Sequence, residues 1–291
     1  MYTISHFFAN RVLDPSTLKY MIVEAARHGV EHLVVSNPWC IKYLEDPTFI
    51  DVLKKGAEKA GITFVGAHAP FSTGWDLDTP DPERRPIMLE EQARSMAFAA
   101  ELGAKTMTFH PGANPPEYTL QQLRDFTRAS LEYLLPYAEK YGVILCIENA
   151  MRPTNTPDEL LRYLDEFKTP WLGVTYDTGH ANVMNSFNGT KDSSKYSEGF
   201  LANWPDGVVY EDKALDKLAP HVVVSHVHNN SGYKDEHRFI DDGALDWKPI
   251  IRKLKNDCPR LQNIENETKV FDLYISMSRL GKDFAKLIAE A

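Results

Sequence analysis

The chain has 291 residues, of which 43% are hydrophobic and 25% are charged, and its 41 acidic residues against 32 Lys and Arg give a formal net charge of -9. This composition is typical of a globular protein with a sizeable core, and the negative charge argues against broad electrostatic attachment to nucleic acid or anionic membranes. No apolar run approaches a membrane span, the first residues lack a signal-peptide pattern, and the three cysteines form no C-x-x-C pair, so we expect an unexported, cytoplasmic protein without disulfides.

Short β-rich runs alternate with longer amphipathic segments along the chain. The strand candidates are TISHF, EHLVVS, ITFVGAH, KTMTFH, VILCIE, LGVTYD, HVVVSHV and LQNIENE. Helical patterns between them include residues 16–29, 51–61, 88–103, 122–142 and 156–167; several end in Gly, a C-cap signal, and residues 156–159 resemble a capping box. Eight alternations with strands that are apolar on both faces predict an α/β fold, a single (β/α)₈ barrel of parallel strands over residues 1–291; a doubly wound open sheet is the alternative.

Two connections in this pattern are long, residues 72–86 and 182–210. Loops of this size that carry aromatic residues are often lids over a site or oligomer contacts, although plain surface loops are equally consistent with the sequence. Trp75 and Trp204 are therefore candidates for lining a site.

Ionisable residues recur where the predicted strands end, which is where barrel enzymes build their active sites. An acidic residue that closes an apolar strand, such as Glu148 in VILCIE, leaves a carboxylate in a partly buried mouth, which is costly unless a cation or hydrogen bonds compensate it. A mixture of imidazole and carboxylate ligands without thiolate suits a catalytic site for Zn²⁺, Mn²⁺, Fe²⁺ or Co²⁺. The residues concerned are His68, His110, Glu148, Asp177, His180, His226, Glu265 and Glu267.

The stretch VVVSHVHNNSGYKDEHRFIDDG, residues 222–243, has the highest density of such side chains. His226 and His228 lie on the same face of an ideal strand, so the alternation does not choose between them as a ligand. Asp235 and His237 lie on the following loop and are expected to fold back over the same mouth.

Several motifs together resemble those of the xylose-isomerase-like barrel superfamily. They are HPG at 110–112, IEN at 147–149, DTGHAN at 177–182, SHVHNN at 225–230, D-x-H at 235–237 and the closing ENET. The resemblance runs from about residue 30 to residue 290, with the strands in the correct order. That superfamily contains sugar isomerases and epimerases, sugar dehydratases, and apurinic-site endonucleases of the endonuclease IV type.

For the sugar isomerases and epimerases, the resemblance implies one divalent metal (Mn, Zn, Co, Fe or Mg) and an enediolate mechanism in which two glutamates exchange the proton. The matching glutamates are Glu148 and Glu267, although Glu265 also fits the strand-eight position. The family pattern H-x-x-D selects His226 as the strand-seven ligand and places Asn229 where Asp is usual. The implied metal ligands are Glu148, Asp177, His226 and Glu267.

For the endonucleases, the resemblance implies further ligands for a cluster of two or three Zn²⁺, and every added position has a match. These residues are His68, His110, His180, Asp235 and His237, several of which many sugar-acting relatives keep as groups that bind substrate or support the site. Two features disagree with a nuclease: Asp241 replaces the first glycine of a Gly-acid-Gly turn, and the loop after His180 is acidic and aromatic where phosphate contacts need Arg and Lys.

We therefore expect a metal-dependent isomerase or epimerase with a small carbohydrate substrate, no membrane or nucleic-acid partner, and the homo-oligomeric state that the resemblance suggests. The alternatives are a multi-metal phosphodiester hydrolase, a keto-sugar or polyol dehydratase, and a non-catalytic carbohydrate-binding barrel. Arg152 and Lys234 are candidates to contact a substrate phosphate or carboxylate, or are simply solvated charges.

Overall fold

The computed structural model describes residues 2–7, 11–269 and 276–290. Its eight parallel strands close into one barrel in sequence order, with β1 paired to both β2 and β8. The strands are β1 Thr3–His6, β2 His32–Val35, β3 Thr63–His68, β4 Thr106–Phe109, β5 Ile144–Glu148, β6 Leu172–Asp177, β7 Val222–Val227 and β8 Asn263–Asn266. Each lies within a predicted run, so the predicted (β/α)₈ barrel is confirmed and the open sheet is excluded.

Helices cover the outside of the barrel. Their bounds are α1 Pro15–Arg27, α2 Asn37–Glu45, α3 Phe49–Ala60, α4 Arg84–Leu102, α5 Leu120–Tyr141, α6 Pro157–Phe167, α7 Thr178–Met184, α8 Glu198–Leu201, α9 Ala214–Leu218, α10 Trp247–Asp257 and α11 Phe284–Glu290. A π-helical turn at Arg279–Asp283 leads into α11, and short 3₁₀ turns lie at Pro153–Asn155, Ser193–Lys195 and Ala219–His221. Among the described helices, none is long and apolar enough to cross a membrane.

The helix ends follow the predicted capping chemistry with one exception. Helices α3, α4 and α5 end at glycines with φ of 68°, 107° and 64°, a left-handed conformation that glycine adopts without strain. The capping box expected at residues 156–159 is wrong: the Thr156 side chain makes no cap hydrogen bond, and Glu159 accepts hydrogen bonds of 2.7 and 2.5 Å from Arg124 instead of bonding back to Thr156. A complete capping box lies at Thr119, with Gln122 as its partner.

The barrel interior holds both apolar and polar side chains. The main core lies between the sheet and the helices, whereas a small separate cluster of Cys146, Val223 and Val224 packs with Ile144. Hydroxyl groups also lie inside the barrel: Thr108 Oγ1 is 2.8 Å from Thr175 Oγ1. The barrel interior is therefore partly polar below the ionisable residues at the mouth.

The aromatic residues of the two long connections pack against other parts of the chain. Trp75 lies 4.4 Å beneath the Arg84 guanidinium, and Trp204 is buried with its indole N–H donating to the Met151 carbonyl at 3.2 Å. These contacts are structural and are not made with the ionisable residues of the mouth. The cysteines Cys40, Cys146 and Cys258 are free and buried.

His6, on the outer face of β1 against Phe284, gives the fold a pH dependence. Burial and the nearby His32 lower the pKa of His6 from 6.5 to about 4. The unfolded chain binds a proton at His6 below about pH 6.5, whereas the folded chain binds it only near pH 4. The contribution of neutral, buried His6 to the free energy of unfolding is therefore complete above pH 6.5 and is lost as the pH falls towards 4.

We expect the difference in unfolding free energy between the wild type and His6→Gln to shrink by about 2 kcal/mol between pH 7.5 and pH 5, at 1.36 kcal/mol per pH unit below 6.5. Urea unfolding at a series of pH values measures this difference. Parallel stability curves for the two proteins would contradict the assignment.

Candidate active site

The strand ends bring the four predicted metal ligands together. Glu148 ends β5, Asp177 ends β6, His226 is the last residue but one of β7, and Glu267 lies one residue beyond β8. The register places Asp177 beside His226, and His226 beside Glu265, on neighbouring strands. All of these side chains are buried, so their charges are held in a region of low water access.

The Nδ1 atom of His226 is the point on which the three other predicted ligands converge. It lies 3.0 Å from Glu148 Oε1, 3.4 Å from Glu267 Oε1 and 3.7 Å from Asp177 Oδ2. Metal–ligand bonds of about 2.1 Å separate neighbouring donors by about 3.0 Å in octahedral and about 3.4 Å in tetrahedral geometry. Glu148, Asp177 and His226 offer donor atoms that lie within 4.8 Å of one another, and Glu267 forms a second such group with His226 and Glu265, so carboxylate donors suited to a divalent cation meet at His226.

The opposite nitrogen of His226 faces into the barrel. Its Nε2 lies 3.3 Å from Thr108 Oγ1 and 3.4 Å from Glu265 Oε2. Glu265 and Glu267 therefore lie on different sides of one imidazole ring. Only Glu267 shares the Nδ1 side with Glu148 and Asp177.

Glu148 is surrounded by histidines on both of its oxygens. Besides His226, its Oε2 atom lies 3.0 Å from His110 Nε2 and 3.6 Å from His68 Nε2. Burial works to raise the pKa of Glu148, but His226, His110 and His68 outweigh it and hold that pKa well below the ordinary value. For Glu267, burial prevails over His226 and His237 and raises the pKa. Glu148 and Glu267 thus differ in their tendency to hold a proton.

Three of the predicted histidines share one hydrogen-bonding pattern. In each, Nδ1–H donates to a backbone carbonyl: His68 to Ala69 at 2.9 Å, His180 to Asn149 at 3.0 Å, and His237 to Glu267 at 2.9 Å. With Nδ1–H engaged in this way, Nε2 is the ring atom left to bind a metal ion, as in metal-binding histidines. Each Nε2 faces a carboxylate, Glu148 for His68 and Asp235 for His180 and His237.

Asp177 is held in place by the start of a helix. Its Oδ1 caps α7 by accepting the His180 N–H at 2.6 Å, while Asn149 fixes its backbone through hydrogen bonds of 2.8 and 3.0 Å. His180 is therefore positioned by the same turn that orients Asp177. Its Nε2 lies 3.7 Å from Asp235.

The loop after β7 folds back over the mouth, as the sequence predicts. Asn229 and Arg238 exchange backbone hydrogen bonds of 2.9 and 2.7 Å, which turns the loop and brings Asp235 and His237 to within 3.0 Å of each other. His228, which the alternation could not separate from His226, stacks on His237 at 3.8 Å and contacts Asp177 Oδ2 at 3.1 Å. His228 is thus a buried neighbour of the site.

The two departures from the family pattern have structural partners. Asn229, at the usual Asp position, uses its amide to hold Ile240 O at 2.9 Å, with its Oδ1 accepting from Leu245 N at 3.1 Å. Asp241 pairs with Arg279. Both residues therefore stabilise the loop and do not face the ligand set.

Asp76 is a site residue that the sequence reasoning did not identify. It is buried on the β3–α4 loop, where Ser72 N donates to Oδ1 at 2.8 Å, and it lies 3.8 Å from His110 Nδ1 and 3.9 Å from Arg152 Nη1. A mid-loop position gives no strand-end signal, which is why the pattern missed it.

Lys234, a candidate to contact a substrate phosphate or carboxylate, is exposed.

Curated relatives of the chain are of unassigned function. The uncharacterized protein MJ1311 of Methanocaldococcus jannaschii is 29% identical over 199 residues, 66% of this chain and 60% of that protein. The matched region therefore spans less than two thirds of MJ1311.

Solved structures with the same fold carry different functional names. A D-tagatose 3-epimerase-like protein has a TM-score of 0.72 at 20% identity, covering 98% of this chain and 97% of its own. The IOLI protein with a bound zinc atom has a TM-score of 0.71 at 15% identity, with coverage of 99% and 98%. An AP endonuclease, family 2, from Brucella melitensis has a TM-score of 0.68 at 13% identity, with coverage of 98% and 99%. These identities establish the fold alone.

The match to a family model assigns the chain to a family more firmly than any single solved structure does. It spans the strand ends from β3 to β7 and most of the ionisable residues described above. It matches residues 22–258. The chain therefore belongs to the xylose isomerase-like TIM barrel family.

Proposed function

We propose that this protein is a divalent-metal-dependent isomerase or epimerase of a small carbohydrate. The observation that carries the proposal is the convergence of Glu148, Glu267 and Asp177 on His226 Nδ1 at 3.0 to 3.7 Å. Sugar epimerases among proteins of the same fold support the substrate class. When bound, the metal would act as a Lewis acid on the carbonyl and hydroxyl oxygens of the sugar.

In this proposal Glu148 and Glu267 move the proton. One carboxylate takes the proton from the carbon beside the carbonyl, and the second returns a proton, to the opposite face in an epimerisation. Their pKa values are shifted in opposite directions, that of Glu148 downwards and that of Glu267 upwards, so the two carboxylates are not equivalent as proton carriers. We assign substrate hydroxyl binding to His68, His110, His180, Asp235 and His237.

Metal analysis and isotope exchange test the proposal on the same preparation. We expect about one divalent metal per chain after purification without a chelator or histidine tag, and deuterium incorporation from D₂O at one carbon of a ketose or aldose in a substrate panel. Deuterium exchange accompanied by loss of water from the sugar would indicate a dehydratase instead. Sugar binding without exchange in the metal-loaded protein would contradict turnover and support a non-catalytic barrel.

A second candidate function, a multi-metal phosphodiester hydrolase, rests on the three histidines whose Nδ1–H groups donate to carbonyls. With Glu148, His110 and Asp235 they could hold two further Zn²⁺, which would activate water and bind a phosphate. Two or three zinc ions per chain together with cleavage of a duplex that contains an abasic site would favour this function over the first.

A further inference from the structure

Glu265 is a buried carboxylate that the proposed proton transfer does not use. It is 1% exposed, and its Oε2 atom has no hydrogen-bond partner among the described residues. The same atom lies 3.4 Å from His226 Nε2, on the side of the ring that faces away from Glu148, Asp177 and Glu267. A buried carboxylate in this position is costly unless a neighbouring N–H compensates it.

Asn263 and Gly66 build the position of this carboxylate. Asn263 Nδ2 donates to Glu265 Oε1 at 2.6 Å, and the Asn263 Oδ1 atom accepts the hydroxyls of Ser5 and Thr3, each at 2.9 Å, which fixes the direction of the amide. On β3, a Cβ atom at Gly66 would clash with Glu265 Oε1, so glycine at this position leaves room for the carboxylate as it is placed. The arrangement thus directs the remaining oxygen, Oε2, towards His226.

The other neighbour of His226 Nε2 cannot fix the ring by itself. Thr108 Oγ1 lies 3.3 Å from Nε2 but also 2.8 Å from Thr175 Oγ1, and a hydroxyl can donate or accept in either contact. Nδ1 of the same ring lies within hydrogen-bond distance of Glu148 Oε1, at 3.0 Å. A divalent cation bound to Nδ1 of a neutral imidazole requires the ring hydrogen to be on Nε2, where Glu265 Oε2, a carboxylate oxygen that can only accept, lies 3.4 Å away.

We propose that Glu265 is a positioning residue for the metal site: by accepting Nε2–H of His226, it keeps Nδ1 available for a divalent cation. This inference rests on the proposed function, since it needs a metal at Glu148, Asp177 and Glu267. Carboxylate partners of metal-binding histidines orient the ring and strengthen its bond to the metal. Glu265 would therefore act on metal affinity without touching the substrate.

The test compares Zn²⁺ affinity in the wild type, Glu265→Gln and the exposed control Glu58→Gln, by calorimetric titration of chelator-treated protein. Glu265→Gln keeps the shape of the side chain and removes its charge, and we expect it to bind Zn²⁺ about 10- to 100-fold more weakly while the control stays within about twofold of the wild type. Circular dichroism of the metal-free proteins checks that both variants are folded.

A measurement on the wild type covers the case in which Glu265→Gln does not fold. Long-range ¹H–¹⁵N spectra of the Zn²⁺-loaded protein, with His226 assigned through His226→Gln, should show a protonated Nε2 and a metal-bound Nδ1. A metal-bound Nε2, or unchanged Zn²⁺ affinity in folded Glu265→Gln, would overturn the inference and leave the proposed function in place. A wild type that binds no Zn²⁺ or Mn²⁺ would overturn both.

Discussion

Replacing Glu148 or Glu267 by Gln is expected to lower kcat/KM on the sugar substrate by at least about 10³-fold, because general acid–base groups contribute about 10² to 10⁴ and each residue is also a proposed metal ligand. Gln has the size of Glu but does not take up or release a proton at the working pH. The substrate panel and the D₂O exchange rate measure the effect for each half of the proton transfer.

Deuterium exchange distinguishes the roles of the two glutamates. If Glu148 removes the proton, Glu148→Gln should abolish deuterium incorporation, whereas Glu267→Gln should lower epimerisation more than proton removal. The exposed Glu58→Gln variant is the control for the substitution itself. Wild-type turnover in both site variants would refute the acid–base assignment, whatever the metal content.

The barrel was predictable from the sequence because its strands are short apolar runs with ionisable residues at their ends. In LGVTYD, the predicted strand coincides with β6, and its terminal Asp177 both caps α7 and joins the ligand set. In LQNIENE the predicted run overshoots, since β8 ends at Asn266, and Glu267 reaches the site from the residue after the strand. Period-two alternation thus identifies the face of a strand better than its last residue.

The residue pattern could not distinguish between candidates two positions apart, for a physical reason. Side chains at i and i+2 point to the same side of a strand, so His226 and His228, or Glu265 and Glu267, are equivalent in alternation. Inter-strand register and ring orientation separate them, and these depend on the closed barrel. Asp76 is still more difficult to predict from the sequence, because it lies on no strand. A hydrogen bond from Ser72 and a contact with His110 place it near the site.

Metal binding is expected to stabilise the folded protein strongly, because a cation would compensate the carboxylates crowded around His226 Nδ1. At a free metal concentration of about 1,000 times Kd, a ligand that binds only the folded state adds about 4 kcal/mol. For a chain of this size that corresponds to a rise in Tm of about 10 °C. Thermal unfolding of the chelator-treated protein with and without Zn²⁺ or Mn²⁺ measures the rise.

Asp177→Asn tests whether that stabilisation arises at the proposed site. Asn is as good a helix cap as Asp, so α7 should keep its start while the site loses a charged ligand. We expect the metal-dependent rise in Tm to fall below about 3 °C in Asp177→Asn, since one kcal/mol moves Tm by about 2–4 °C, and to persist in the exposed control Asp165→Asn. An equal rise in all three proteins would mean that the metal stabilises the chain elsewhere, because a cation bound at His226 would respond to the charge of Asp177, whose Oδ2 lies 3.7 Å from His226 Nδ1.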